Sequence, residues 1–192
     1  QTLITSLTSM ANEHLVVQVN ANGSIDLTCR ATGKTYRQLN VLIDQGEVGN
    51  AWQHKAPAYD RCYTSAGGRA DIAVITSGPL VAEIAAEYRF AVPVDDADGS
   101  TRNESLIDLP VRVIYRLDAG SRQVKVTCVV DNAAKDHWLR ATFPTDLPTD
   151  HSHADSHFDV VERAIALPDS TGWVERAEGT HPLRTFVALS DD

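Results

Sequence analysis

Apolar and polar residues alternate along most of this chain, so its pattern is that of strands rather than helices. Residues 14–19 and 24–29 are two β-rich runs joined by Asn20-Ala21-Asn22-Gly23, a composition suited to a hairpin turn. In the second run Ile25, Leu27 and Cys29 share one face, and Asp26 and Thr28 the other. Arg30 to Lys34 forms a further turn, and residues 35–43 are predicted as one strand. Residues 71–76 and 80–94 follow. The latter run holds helix-forming Ala and Glu, but Tyr88, Phe90 and Val92 alternate with Arg89 and Ala91, and Pro93 would stop a helix. The clearest hairpin joins residues 106–117 to 122–130. Val111, Val113, Tyr115 and Leu117 alternate with Arg112, Ile114 and Arg116, as Val124, Val126, Cys128 and Val130 do with Lys125, Thr127 and Val129 across the turn at Gly120. Further strands are predicted over 138–143, 158–167, 172–176 and 183–189. About ten to twelve strands without a long helix exceed one typical sheet, so two packed sheets are expected in an all-β chain.

Two stretches depart from the pattern. Residues 44–61 contain glycines, Pro57, Trp52, His54 and Tyr59 without clean periodicity, and long irregular loops in compact domains are often functional. Residues 131–165 hold His137, His151, His153 and His157, four of the seven histidines, together with Trp138 and many acidic side chains.

Composition narrows the choices. The 192 residues carry a net charge of −9 with 43% hydrophobic residues, an ordinary globular balance read as a single domain spanning residues 1–192. The negative charge disfavours nucleic acid and anionic membrane as partners. No apolar run approaches the roughly 18 residues of a membrane span, and no signal peptide is visible, which points to the cytoplasm. The three cysteines, Cys29, Cys62 and Cys128, read as reduced and mostly buried thiols. Two Asn-x-Ser matches, at Asn22 and Asn103, read as chance matches in turns.

Chemistry-bearing clusters are weak. His151, His153, Asp155 and His157 would share one face if extended, but their Pro-, Ser- and Asp-rich setting reads as a surface loop. No recognised metal spacing is present, so no metal ligand is assigned. Asp150, Asp155, Asp159 and Glu162 could supply an acid and a base, yet spacing alone selects no pair among 26 acidic residues. No nucleophile elbow or phosphate loop occurs. Trp52, Tyr59, Trp138 and Trp173 could stack on sugars or fill a core.

The separate motifs, taken in order, are similar to one family. Residues 12–52 resemble the start of the C-terminal β-region of family 38 glycoside hydrolases, the class II α-mannosidases. The resemblance rests on the turn Thr32-Gly33-Lys34-Thr35-Tyr36 and on the loop Asp44-Gln45-Gly46-Glu47-Val48-Gly49. Residues 131–145, 154–165 and 179–191 resemble bacterial members. The resemblance implies a large antiparallel β-sandwich of the galactose-mutarotase-like type and a parent enzyme that removes α-linked mannose with retention of configuration. It places the zinc and the carboxylate nucleophile in an N-terminal catalytic barrel that would be this chain's main partner. Neither a catalytic nor a metal residue is therefore carried over. The chain is expected to be a fragment truncated at both ends. By the same resemblance, residues 158–163 lie towards the barrel, with Arg163 and the adjacent Glu162 near the mannose-containing substrate.

Three readings follow. The first is a non-catalytic scaffold domain of an α-mannosidase, with room for a homo-oligomer. The second is a carbohydrate-binding module using Trp52 or Trp138 as an open platform. The third is a mutarotase-like epimerase, which needs His137 or His157 to converge with Glu162.

Overall fold

The fold, taken from a computed structural model, is described for residues 2–174 and 177–190. It is all-β and comprises two compact units, Gln1–Pro144 and Thr145–Asp192. In the first unit β1 (Ile4–Ser6), β2 (Ser9–Ala11), β3 (Leu15–Val19), β4 (Ile25–Cys29) and β5 (Thr35–Leu39) form a five-stranded antiparallel meander. A second meander has the order β11-β10-β9-β8, from β8 (Asp71–Ser77), β9 (Val81–Pro93), β10 (Leu106–Asp118) and β11 (Val124–Val130). β9 and β10 pair along their full length, from Pro93 opposite Leu106 to Val81 opposite Asp118.

These two sheets close on one core. Met10, Leu15, Val17, Val19 and Ile25 come from the first sheet. Ala82, Ile84, Ala86, Phe90, Val92, Leu109, Val111, Val113, Tyr115 and Leu117 come from the second. The alternation read along β9 and β10 therefore has its inward face at those positions, because successive side chains point to opposite sides of a sheet. Tyr115 is fully buried and its hydroxyl is satisfied. It donates to Gly23 O at 2.6 Å and accepts from the Asn40 amide at 3.1 Å.

A third, smaller sheet has the order β12-β6-β7, from β6 (Val41–Gly46), β7 (Tyr63–Thr64) and β12 (His137–Thr142). It corrects the single strand predicted over 35–43. The backbone turns left-handed at Gln38 and Asn40, with φ of 55° and 67°, so β5 and β6 join different sheets. Asn accepts this conformation more readily than most residues, and the buried Asn40 side chain is held by Tyr115.

In the second unit β14 (Val160–Ala164), β13 (His151–Asp155) and β15 (Val187–Ala188) form a three-stranded sheet. The residues expected to form a histidine-rich loop thus begin with a strand, paired from His151 opposite Ala164 to Asp155 opposite Val160. The strand predicted over 158–167 shortens to β14, since Phe158 has φ of 74°. The strand expected over 183–189 contracts to β15, and Gly172 lies in a turn; Glu175 and Arg176 of the predicted 172–176 strand fall outside the described residues.

The cysteine expectation is also corrected. Cys62 and Cys128 are exposed and Cys29 is half-buried; all three are free. Cys128 lies on β11, the outer strand of its sheet, where covering is thinnest. Among the described residues no helix is long and apolar enough to cross a membrane.

Candidate functional site

The irregular stretch after β6 is built on a buried ion network. Asp44, on β6, is fully buried, and Arg102, from the loop between β9 and β10, donates to it at 2.6 Å with a side chain only 2% exposed. His137, at the start of β12 and 5% exposed, donates from Nδ1 to the other Asp44 oxygen. β6 and β12 are antiparallel neighbours, with His137 opposite Gly46 and Leu139 opposite Asp44. Asp60 closes the other end of the loop, accepting from Gly46 N–H at 3.0 Å and lying 4.0 Å from Arg102. A buried carboxylate needs such partners, because desolvation without them is costly.

The glycines of the Asp44–Gly49 motif have steric reasons. A Cβ on Gly46 would lie 2.4 Å from the Pro57 ring and 2.9 Å from Arg102 Cδ. A Cβ on Gly49 would lie 2.0 Å from Gln53 O. Between them the Glu47 carboxylate ties the loop, accepting from Gly49 N–H at 2.7 Å, from Lys55 N–H at 3.0 Å and from His54 Nδ1. Partial burial opposes ionisation of Glu47, and these hydrogen bonds outweigh it, so its pKa sits below the ordinary carboxylate value. Val48 N–H bonds Lys55 O at 2.8 Å, and Asn50 N–H bonds Gln53 O at 3.0 Å. Residues 47–55 are thus a tight hairpin, with Trp52 near its tip and 95% exposed.

Trp138 is placed differently. The Arg140 guanidinium lies 3.9 Å from its ring centroid and the His54 ring 4.2 Å away. Both groups pack against the indole, which is half-buried. Trp138 is therefore not the open platform considered from sequence, whereas Trp52 is open.

The second unit holds Glu162 and Arg163. Glu162 lies opposite His153 in the β13–β14 ladder and meets its Nε2 at 3.1 Å, with His151 Nε2 at 4.0 Å. Arg163, opposite Ser152, donates to Pro182 O at 3.5 Å. The epimerase geometry is not formed as expected: the carboxylate partner of His137 is Asp44, and the histidines beside Glu162 are His151 and His153. The four carboxylates weighed as acid and base are also occupied separately. Asp155 holds the backbone of residues 184–186, Asp150 bonds His151 at 2.5 Å, and Asp159 accepts from Val160 N–H. Among the described residues no group of three or more His, Cys, Asp or Glu side chains could hold a metal ion, so the residues present do not fit a zinc centre.

Sequence reading found the loop through its lost periodicity. It missed Arg102, which reaches Asp44 from 58 positions away. The signal available was an arginine in a loop otherwise rich in acidic residues.

The architecture is that of a β-sandwich domain carrying a braced aromatic loop. The model of the glycosyl hydrolases family 38 C-terminal domain matches residues 10–192, and the chain belongs to that family. A putative mannosylglycerate hydrolase of Halalkalibacterium halodurans is 29% identical, over 82% of this chain and 19% of its own length. An alpha-mannosidase from Enterococcus faecalis V583 superimposes with a TM-score of 0.85 at 25% identity, over 88% of this chain and 21% of its own. A glycosyl hydrolase family 38 protein from Enterococcus faecalis gives a TM-score of 0.80 at 26% identity, over 85% and 22%. The chain spans about one fifth of the length of these relatives.

Proposed function

We propose that residues 1–192 act as one scaffold domain of an α-mannosidase, a longer polypeptide that hydrolyses α-mannosides with retention of configuration. The observation that carries this reading is the family match across residues 10–192, joined to the likeness to the Enterococcus faecalis alpha-mannosidase. The domain itself performs no bond cleavage. Catalysis and zinc binding belong to an upstream barrel, against which this domain forms one wall of the substrate site, and the whole enzyme works in the cytoplasm.

Within that reading Arg163 and Glu162 lie near the mannose-containing substrate. Arg163 has in its favour that, among the described residues, its guanidinium makes one long bond, to Pro182 O at 3.5 Å. Arg163→Ala in the full-length enzyme lowers activity without loss of fold; unchanged kinetics in the folded variant would remove it from the site.

The whole reading is tested by assaying an aryl α-mannoside with added zinc, using this chain alone and a polypeptide restoring the upstream barrel. Hydrolysis by the longer polypeptide only is expected. Turnover by this chain alone, or none by either, overturns the proposal.

A further inference from the structure

We propose that the hairpin of residues 47–55 is a sugar-contacting element, in which Trp52 lays its indole face on a pyranose ring of the glycoside substrate; this rests on the α-mannosidase reading. Three observations carry it.

The first is immobilisation. The backbone N–H of Trp52 donates to Asn50 Oδ1 at 2.8 Å, and the backbone N–H of Gln53 donates to the same oxygen at 3.1 Å. Glu47, buried Gly46 and the Asp44 network fix the base of the hairpin. An aromatic whose backbone is held before binding loses less freedom when a ligand arrives.

The second is exclusivity. Arg140 and His54 pack against the half-buried Trp138 at the base of the same loop. His54 links the two, touching Trp138 and bonding Glu47. Trp138 serves as a strut, and the open indole of this loop is that of Trp52.

The third is the company Trp52 keeps. Its hairpin neighbours Asn50, Ala51, Gln53 and Lys55 are all exposed and small or polar, so no contiguous apolar patch extends along the hairpin. A protein interface centres on such a patch. A pyranose instead offers one apolar C–H face ringed by hydroxyls, which matches a lone indole flanked by amide donors and acceptors.

The test follows the indole N–H resonances of Trp52, Trp138 and Trp173 in the isotopically labelled chain during titration with methyl α-mannopyranoside and α-mannobiose. A saturable shift at Trp52, with Trp138 still, is expected at about millimolar affinity. Trp52→Ala abolishes binding. Gly49→Ala, which keeps the indole but displaces the hairpin, weakens it about tenfold. Trp52→Ala keeps the melting profile of the parent chain. A silent Trp52, or undiminished binding by Trp52→Ala, overturns the proposal. So does a Trp52 resonance that ignores sugar and moves when the upstream part of the polypeptide is added, since that marks a domain contact. In the full-length enzyme, hydrolysis with an unchanged KM in Trp52→Ala sinks this inference and spares the α-mannosidase reading. Absence of wild-type hydrolysis sinks that reading, while the sugar titration still decides the role of Trp52.

Discussion

Arg102 and Asp44 form an ion pair 2.6 Å long in which both side chains are almost fully removed from water. The pair joins the loop after β9 to strand β6, and the irregular loop grows from it. Replacing Arg102 by Met leaves a buried carboxylate that retains His137 as partner but has lost the guanidinium. Truncating one member of a buried pair typically costs about 3–5 kcal/mol. Urea unfolding of Arg102→Met measures this. A loss under about 1 kcal/mol, the range of an exposed pair, would mean that the network contributes little to the fold.

Tyr115 offers a second test of buried polarity. Burial pushes its phenol pKa far above the ordinary value, so the hydroxyl stays protonated and can keep donating to Gly23 O. Tyr115→Phe preserves the ring's packing and strands the Gly23 carbonyl and the Asn40 amide. The expected cost is about 1–3 kcal/mol for unsatisfied buried groups. Chemical denaturation with an unchanged slope would report it, and a neutral substitution would contradict the burial of this contact.

Acid acts on the second unit through Asp155. The Thr185 hydroxyl and N–H, with the Phe186 and Arg184 N–H groups, hold its pKa far below the usual carboxylate value. Its ionised form is therefore favoured by folding. The contribution is complete above the unfolded pKa of about 3.9 and fades as pH falls through the lower folded value. Protection factors at Thr185 and Phe186, taken against the intrinsic exchange rate at each pH, should fall as the solution is acidified below the unfolded carboxylate pKa. Asp155→Asn should remove that acid dependence and show faster exchange already at neutral pH.

Gly46 tests the fit at the base of the loop. A methyl group there meets the Pro57 ring at 2.4 and 2.6 Å, so Gly46→Ala must displace residues 57–60 or Arg102. Overpacking of this kind costs roughly 1–3 kcal/mol. Limited proteolysis should nick the 47–61 loop faster in the variant, and an unchanged digestion pattern would refute the close approach.

The strands that were legible in sequence are those whose alternation is clear and whose inner face is covered, chiefly β9 and β10. The breaks at Gln38 and Asn40 were not legible, because a left-handed residue leaves no mark on hydrophobic period. β1 and β2 are three residues each and rich in Ser and Thr, too short for a period to register. β13 is spelled His-Ser-His-Ala-Asp, and only cross-strand pairing reveals it as a strand. At the site, Glu47, Gly46 and Gly49 were visible as a motif, but their purpose was not. It depends on Arg102 and His137, which arrive from 58 and 93 positions away, and long-range pairing is invisible to local pattern.

Both large sheets of the first unit are meanders, so every strand in them pairs with its neighbour in sequence. The distant connections are the closure of one sheet on the other and the β6–β12 ladder. Loop-closure entropy is small for the hairpins and large for those late contacts. As the chain leaves the ribosome, the first meander has all its pairing partners by Leu39, long before the second exists. The rate-limiting event in folding is then the docking of two ready-made sheets. Substitutions at their facing residues, such as Met10 and Val113, should slow folding more than equally destabilising substitutions in the 47–61 loop.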